Sequence, residues 1–114
     1  MEEYLQKWSK INHGSYCLSL LFTSRDFSSG VLGLAWLADS HGLGGICEDW
    51  NSYYNQSFNT AIVTFLNNGQ LVPEKVVTLT VAHELGHGFG AKVSQSWQGN
   101  GDGRERRETP IKHV

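Results

Sequence analysis

Residues 83–87 read His-Glu-Leu-Gly-His, and this spacing constrains the fold more than any other feature of the chain. At about 3.6 residues per turn, His83 and His87 fall one turn apart on the same face of a helix, so both imidazoles can reach a single metal ion. Glu84 is turned about 100° from His83 and about 60° from His87, which puts its carboxylate beside such a metal but outside the ligand set. The preceding residues supply the helix. Pro73 suits a first helical turn, Glu74 places an anion where the helix dipole favours one, and the pattern runs to about Gly88. Val77, Val81 and Leu85 form one apolar line, while Val76 and Leu79 extend the histidine face. A helix apolar on both sides is expected to lie inside a core.

The rest of the chain offers that helix a sheet. Tyr4, Leu5, Trp8 and Ile11 sit at helical spacing, which predicts a short amphipathic helix over residues 2–12, ended by Asn12-His13-Gly14. Residues 16–23, 31–37 and 61–66 are short, apolar and rich in β-branched or aromatic side chains, and read as strands. Gly33 inside the second of these predicts a sheet edge or the close approach of another backbone. Asn67-Asn68-Gly69 reads as a turn closing the third. The order helix, three strands, helix gives an α/β fold, a mixed sheet with one central helix.

The chain has 114 residues, room for one domain at most. Charge is unevenly placed: residues 1–91 hold four basic and eight acidic side chains, whereas residues 92–114 hold five basic and three acidic. Glycines at 99, 101 and 103 cannot sustain a helix, and residues 104–114 show no periodicity. The expectation is a domain over residues 1–91, incomplete as it stands, followed by a disordered tail over 92–114. A net charge of -2 gives no reason to expect a nucleic-acid partner. Neither a membrane span nor the apolar core of a secretory signal is present in the sequence. Cys17 and Cys47 permit one disulfide or none. Asn55-Gln56-Ser57 is a glycosylation triplet, meaningful only in a secretory compartment.

The chemistry implied by residues 83–87 is that of a zinc hydrolase. His83 and His87 would bind Zn²⁺, and Glu84 would take a proton from a metal-activated water and return it to the leaving amine. Gly90, three residues beyond His87, lets the helix end and the chain turn back. A histidine three residues further would complete a three-histidine site, but that position is Val93. Glu105 and Glu108 lie beyond the glycine run, His113 is nearly terminal, and His13 and His41 read as ordinary loop histidines.

From about Gly14 to Gly90 the chain resembles the catalytic domain of the kuzbanian-type (ADAM10-type) disintegrin metalloproteases, which are metzincins of the adamalysin kind. The resemblance is carried by SYCLSLLFTSRDFSSGVLGLAW (15–36), GGIC (44–47), FNTAIVTF (58–65) and VPEKVVTLTVAHELGHGFG (72–90), four blocks in the family's order. It implies a metzincin-like mixed sheet with His83 and His87 as zinc ligands and Glu84 as catalytic base. It also implies that Gly33, Leu34, Ala35 and Trp36 form the sheet edge that pairs with an extended substrate. Cys17 and Cys47 match family cysteines whose partners lie outside this stretch, so a bond between the two is not implied. Family members are membrane-anchored sheddases of the cell surface that cut juxtamembrane segments of proteins such as Notch receptors. The function expected is therefore a zinc endopeptidase of this type, present as a fragment without its third histidine. The alternative is a catalytically inactive product with weak or no zinc binding.

Overall fold

Three strands, Ser19–Thr23 (β1), Gly33–Ala35 (β2) and Thr60–Thr64 (β3), form a mixed sheet in the order β1–β3–β2. The structure is a computed structural model that describes residues 1–38 and 44–91, and the expectation of a disordered tail lies outside them. β1 runs parallel to β3 with Leu21 beside Ile62, and β2 runs antiparallel to β3 with Leu34 beside Ile62. All five residues of β3 are buried. A strand reads as a continuous apolar run when both faces of its sheet are covered, and here one helix lies on each face.

Helix Glu2–Ser9 (α1) covers the first face, where Leu5, Phe27, Leu34 and Ile62 make a core flanked by Met1, Tyr4, Leu21 and Trp36. Polar bonds pin this face. Ser9 Oγ meets Thr60 Oγ1 at 2.7 Å and accepts the Trp36 indole N–H at 2.9 Å. The helix ends at Ser9, before the predicted Ile11, because the chain leaves it to dock on the segment before β3. There the Ser57 N–H donates to the Ser9 carbonyl at 2.8 Å and the Ser57 hydroxyl to the Ile11 carbonyl at 3.2 Å. Ile11 is left 54% exposed.

The other face is covered by Glu74–Gly88 (α2). Between β3 and α2 stands a hairpin of Leu66–Asn67 (β4) and Gln70–Leu71 (β5), closed by Asn68 and Gly69 at φ 51° and 74°. The turn residues announce this hairpin, but its second strand is too short to show in a hydrophobic pattern. Asp26 holds the turn in place, its carboxylate accepting the N–H groups of Asn68 at 3.1 Å and Gly69 at 2.6 Å.

Several expectations change at this level, and the strands expected over 31–37 and 61–66 fold as Gly33–Ala35 and Thr60–Thr64. β1 begins at Ser19 and not at Tyr16, since the Tyr16 carbonyl accepts the Asn59 side-chain amide and the Cys17 carbonyl accepts the Cys47 N–H. That same backbone bond, 2.6 Å long, sets the cysteines side by side, and Cys17 is bonded to Cys47, a pairing the resemblance did not imply. Closing a loop with a sequence separation of 30 removes enough unfolded-chain entropy to contribute about 3–4 kcal/mol in the chain-entropy treatment.

Candidate metal centre and active site

Helix α2 buries Val77, Thr80, Glu84, His87 and Gly88. Its apolar character is one-sided in this chain, for Val76 is 38% and Leu79 66% exposed, contrary to the expectation of burial all round. The buried face rests on β2 and β3. At its centre Glu84 is 1% exposed, and among the described residues neither carboxylate oxygen has a hydrogen-bond partner. Burial pushes the carboxyl up to about 8, because a low-polarity surrounding penalises the charged form.

One turn along, the Nε2 atoms of His83 and His87 converge to 2.9 Å with their rings nearly perpendicular. Two nitrogens on one tetrahedral zinc, each about 2.0–2.1 Å from it, stand roughly 3.3 Å apart, so these rings come within a few tenths of an ångström of a shared-metal arrangement. The tautomer of His87 is set from outside the helix. Its Nδ1 donates to the Ala91 carbonyl at 2.9 Å, which makes Nε2 the lone-pair nitrogen, here engaged with His83 Nε2.

The end of α2 explains how Ala91 arrives there. Gly90 takes φ 85°, its N–H donates to the His87 carbonyl at 2.9 Å, and the Ala91 N–H returns to the Gly86 carbonyl at 2.8 Å. This is a Schellman closure, in which a left-handed residue turns the chain back over the last helical turn. The neighbouring loop completes it. Ala38 N–H donates to the His87 carbonyl at 3.1 Å and Ile46 N–H to the Gly88 carbonyl at 3.0 Å.

The residues expected to bind substrate lie next to this helix. β2 is an edge strand of the sheet. The Thr64 N–H donates to the Leu32 carbonyl at 2.9 Å and the Trp36 N–H to the Thr60 carbonyl at 3.4 Å, so the pairing groups of Gly33 and Ala35 point away from β3. Gly33, Leu34 and Ala35 are all buried. The Leu34 side chain belongs to the core under α1, and the Trp36 ring packs edge-on against Phe58 with centroids 4.9 Å apart. Of the four residues, Gly33 meets the catalytic candidate. A Cβ there would stand 2.6 Å from Glu84 Oε1 and 2.8 Å from Thr80 Cγ2. Of the two expectations at this glycine, the sheet edge is met, and the close approach is to side chains of α2 in place of another backbone.

This contact makes a prediction of opposite signs. Gly33→Ala forces Glu84 and Thr80 to move and is expected to cost about 1–3 kcal/mol in urea unfolding. Gly86→Ala, where a Cβ meets only the Ala91 Cβ at 3.7 Å, is expected to stabilise by about 0.5–1 kcal/mol through helix propensity. Equal effects of the two would refute the packing described for β2.

Among the described residues, no three His, Cys, Asp or Glu side chains come together as a metal-binding group. His13 is held elsewhere, its ring tilted 46° against Trp8 with centroids 4.4 Å apart and its Nε2 3.0 Å from the Trp8 carbonyl. His41, Val93, Glu105, Glu108 and His113 lie outside the described residues. Two parts of the site escaped the sequence reading. The Ala91 carbonyl is a backbone group and leaves no mark in residue type. The contact of Gly33 with Glu84 is hinted at only by a glycine in a strand.

The family profile for reprolysin-like metallopeptidases of family M12B matches residues 2–110. Human disintegrin and metalloproteinase domain-containing protein 10 is 50% identical over 95 residues, which cover 80% of this chain and 13% of that protein. The Xenopus laevis protein of the same name shares 50% identity over 95 residues. The Caenorhabditis elegans homolog shares 42% over 100 residues, 80% of this chain and 11% of its own length. The chain therefore spans about an eighth of the curated relatives it matches.

Proposed function

Because this chain belongs to the reprolysin-like M12B metallopeptidases, we propose that it carries the zinc-binding and general-base segment of an endopeptidase that cuts extended peptides. One observation carries the reading: the Nε2 atoms of His83 and His87 converge on the same helix that buries Glu84, the residue after His83. When bound, zinc supplies Lewis-acid activation of a water and of the scissile carbonyl.

The remaining work falls to the chain. His83 and His87 hold the metal, and the Ala91 carbonyl keeps the His87 ring in the ligating tautomer. Glu84 takes the proton of the attacking water on a carboxylate oxygen and delivers it to the nitrogen of the departing amine. Burial favours the second half of that task, holding the proton for delivery, whereas taking it up requires the ionised carboxylate. A peptide laid along β2 would pair with the outward N–H and C=O groups of Gly33 and Ala35, with Leu34 and Trp36 fixing that strand from the core side. The resemblance extends the proposal to juxtamembrane segments of membrane-protein ectodomains, such as Notch receptors, as substrates at the cell surface. No described helix is long and apolar enough to cross a membrane.

A second reading rests on Val93. With an apolar residue at the third-ligand spacing, the chain would bind zinc through two imidazoles and be inert. Titration of the purified chain with zinc, followed by calorimetry, separates the two. Stoichiometric tight binding lost in His83→Ala, together with hydrolysis of a quenched peptide, supports the peptidase. Binding no stronger than that of His83→Ala leaves the inert reading in place.

A further inference from the structure

We propose that Asn55 is an N-glycosylation site, modified during translocation before the surrounding loop folds. This stands apart from the peptidase reading and rests on different residues. Asn55-Gln56-Ser57 is the sole Asn-x-Ser/Thr triplet in the sequence. Asn55 is exposed, takes φ 50°, and occupies the tip of a turn closed by reciprocal backbone bonds of 3.0 and 3.2 Å between Asn51 and Gln56. The Tyr54 N–H, bonded to Asn51 Oδ1 at 3.1 Å, braces the turn from within. No described residue hydrogen-bonds to the Asn55 side chain.

Two further observations point to a sugar. Tyr53 is 85% and Tyr54 50% exposed, their rings edge-on with centroids 4.8 Å apart immediately before Asn55. Exposed aromatic faces next to an acceptor asparagine are what the apolar face of a first N-acetylglucosamine would cover. Independently, a Cys17–Cys47 bond is of the kind that persists in oxidising compartments, the setting in which such triplets are used.

The order of events follows from Ser57. In the folded chain Ser57 is fully buried, and its Oγ accepts the His13 N–H at 2.9 Å while donating to the Ile11 carbonyl. A glycosyltransferase that must engage this hydroxyl has to act before the loop docks on the end of α1. The co-substrate is a polyprenyl-pyrophosphate-linked oligosaccharide. The Asn55 amide nitrogen attacks the sugar anomeric carbon, the new C–N bond forms, and the bond to the pyrophosphate oxygen breaks. The lipid pyrophosphate leaves with the electron pair, and the amide proton passes to a base on the transferase.

The test is translation of the full chain behind a cleavable secretory leader in the presence of microsomes. One mobility step removed by peptide N-glycosidase is expected, absent in Asn55→Asp and retained in Ser57→Thr. Asn55→Asp is chosen because aspartate tolerates the left-handed conformation and leaves the buried Ser57 in place. Absence of the step in the wild-type chain, or its persistence in Asn55→Asp, would overturn the proposal.

Discussion

Glu84→Gln is expected to lower zinc-dependent peptide hydrolysis by about 10²–10⁴-fold, the usual contribution of a positioned general acid–base, while zinc affinity stays nearly constant. Glutamine keeps the volume that fits against Gly33 and Thr80 but cannot accept the proton of the attacking water. A second measurement on the same variant separates chemistry from packing. In the metal-free chain the Glu84 carboxyl is raised from 4.5 to about 8 by burial, so the folded state binds the proton more tightly than the unfolded one. Its stabilising effect is complete below about pH 4.5 and is lost as pH rises through about 8. The thermal midpoint of the metal-free chain is thus expected to fall across this window, and the fall to disappear in Glu84→Gln. Unchanged hydrolysis in the variant, where hydrolysis is measurable, would remove Glu84 from the mechanism.

Val93→His is the second large effect. The substitution restores an imidazole three residues beyond Gly90, the spacing at which three histidines leave one position of zinc open. Disturbing a group that merely orients a ligand changes metal affinity about 10–100-fold, so adding a ligand is expected to raise zinc affinity by at least about 100-fold. Competition with a chromogenic chelator measures it. An affinity equal to that of the unmodified chain would show that residue 93 does not reach the metal.

How much of this was legible beforehand depended on the range of the signal. The helix carrying His83 and Glu84 is written locally, through Pro73, a repeating apolar pattern and the glycine that ends it, and it folds as Glu74–Gly88. β3 was legible as a strand, because one covered on both faces needs every residue apolar or hydrogen-bonded, but it was expected over 61–66 and folds as Thr60–Thr64. What failed were boundaries set by partners distant in sequence. Tyr16 has the composition of a strand residue, yet its carbonyl is taken by Asn59, and Ile11 has helical spacing, yet Ser57 draws the chain away. Leu79 looks like a core residue and is 66% exposed, since nothing described lies over that side of α2. The Cys17–Cys47 bond was out of reach of two cysteines read alone, because only the backbone pairing of the two loops brings them together.

The bond from His87 Nδ1 to the Ala91 carbonyl has a wider meaning. It ties the electronic state of a ring proposed as a metal ligand to the path of the main chain four residues on, where Gly90 holds a positive φ. A side chain at residue 90 would touch no ligand, yet by unseating one carbonyl it would change how strongly an imidazole gives electrons to a cation. The hinge of the backbone here doubles as a dial on ligand basicity.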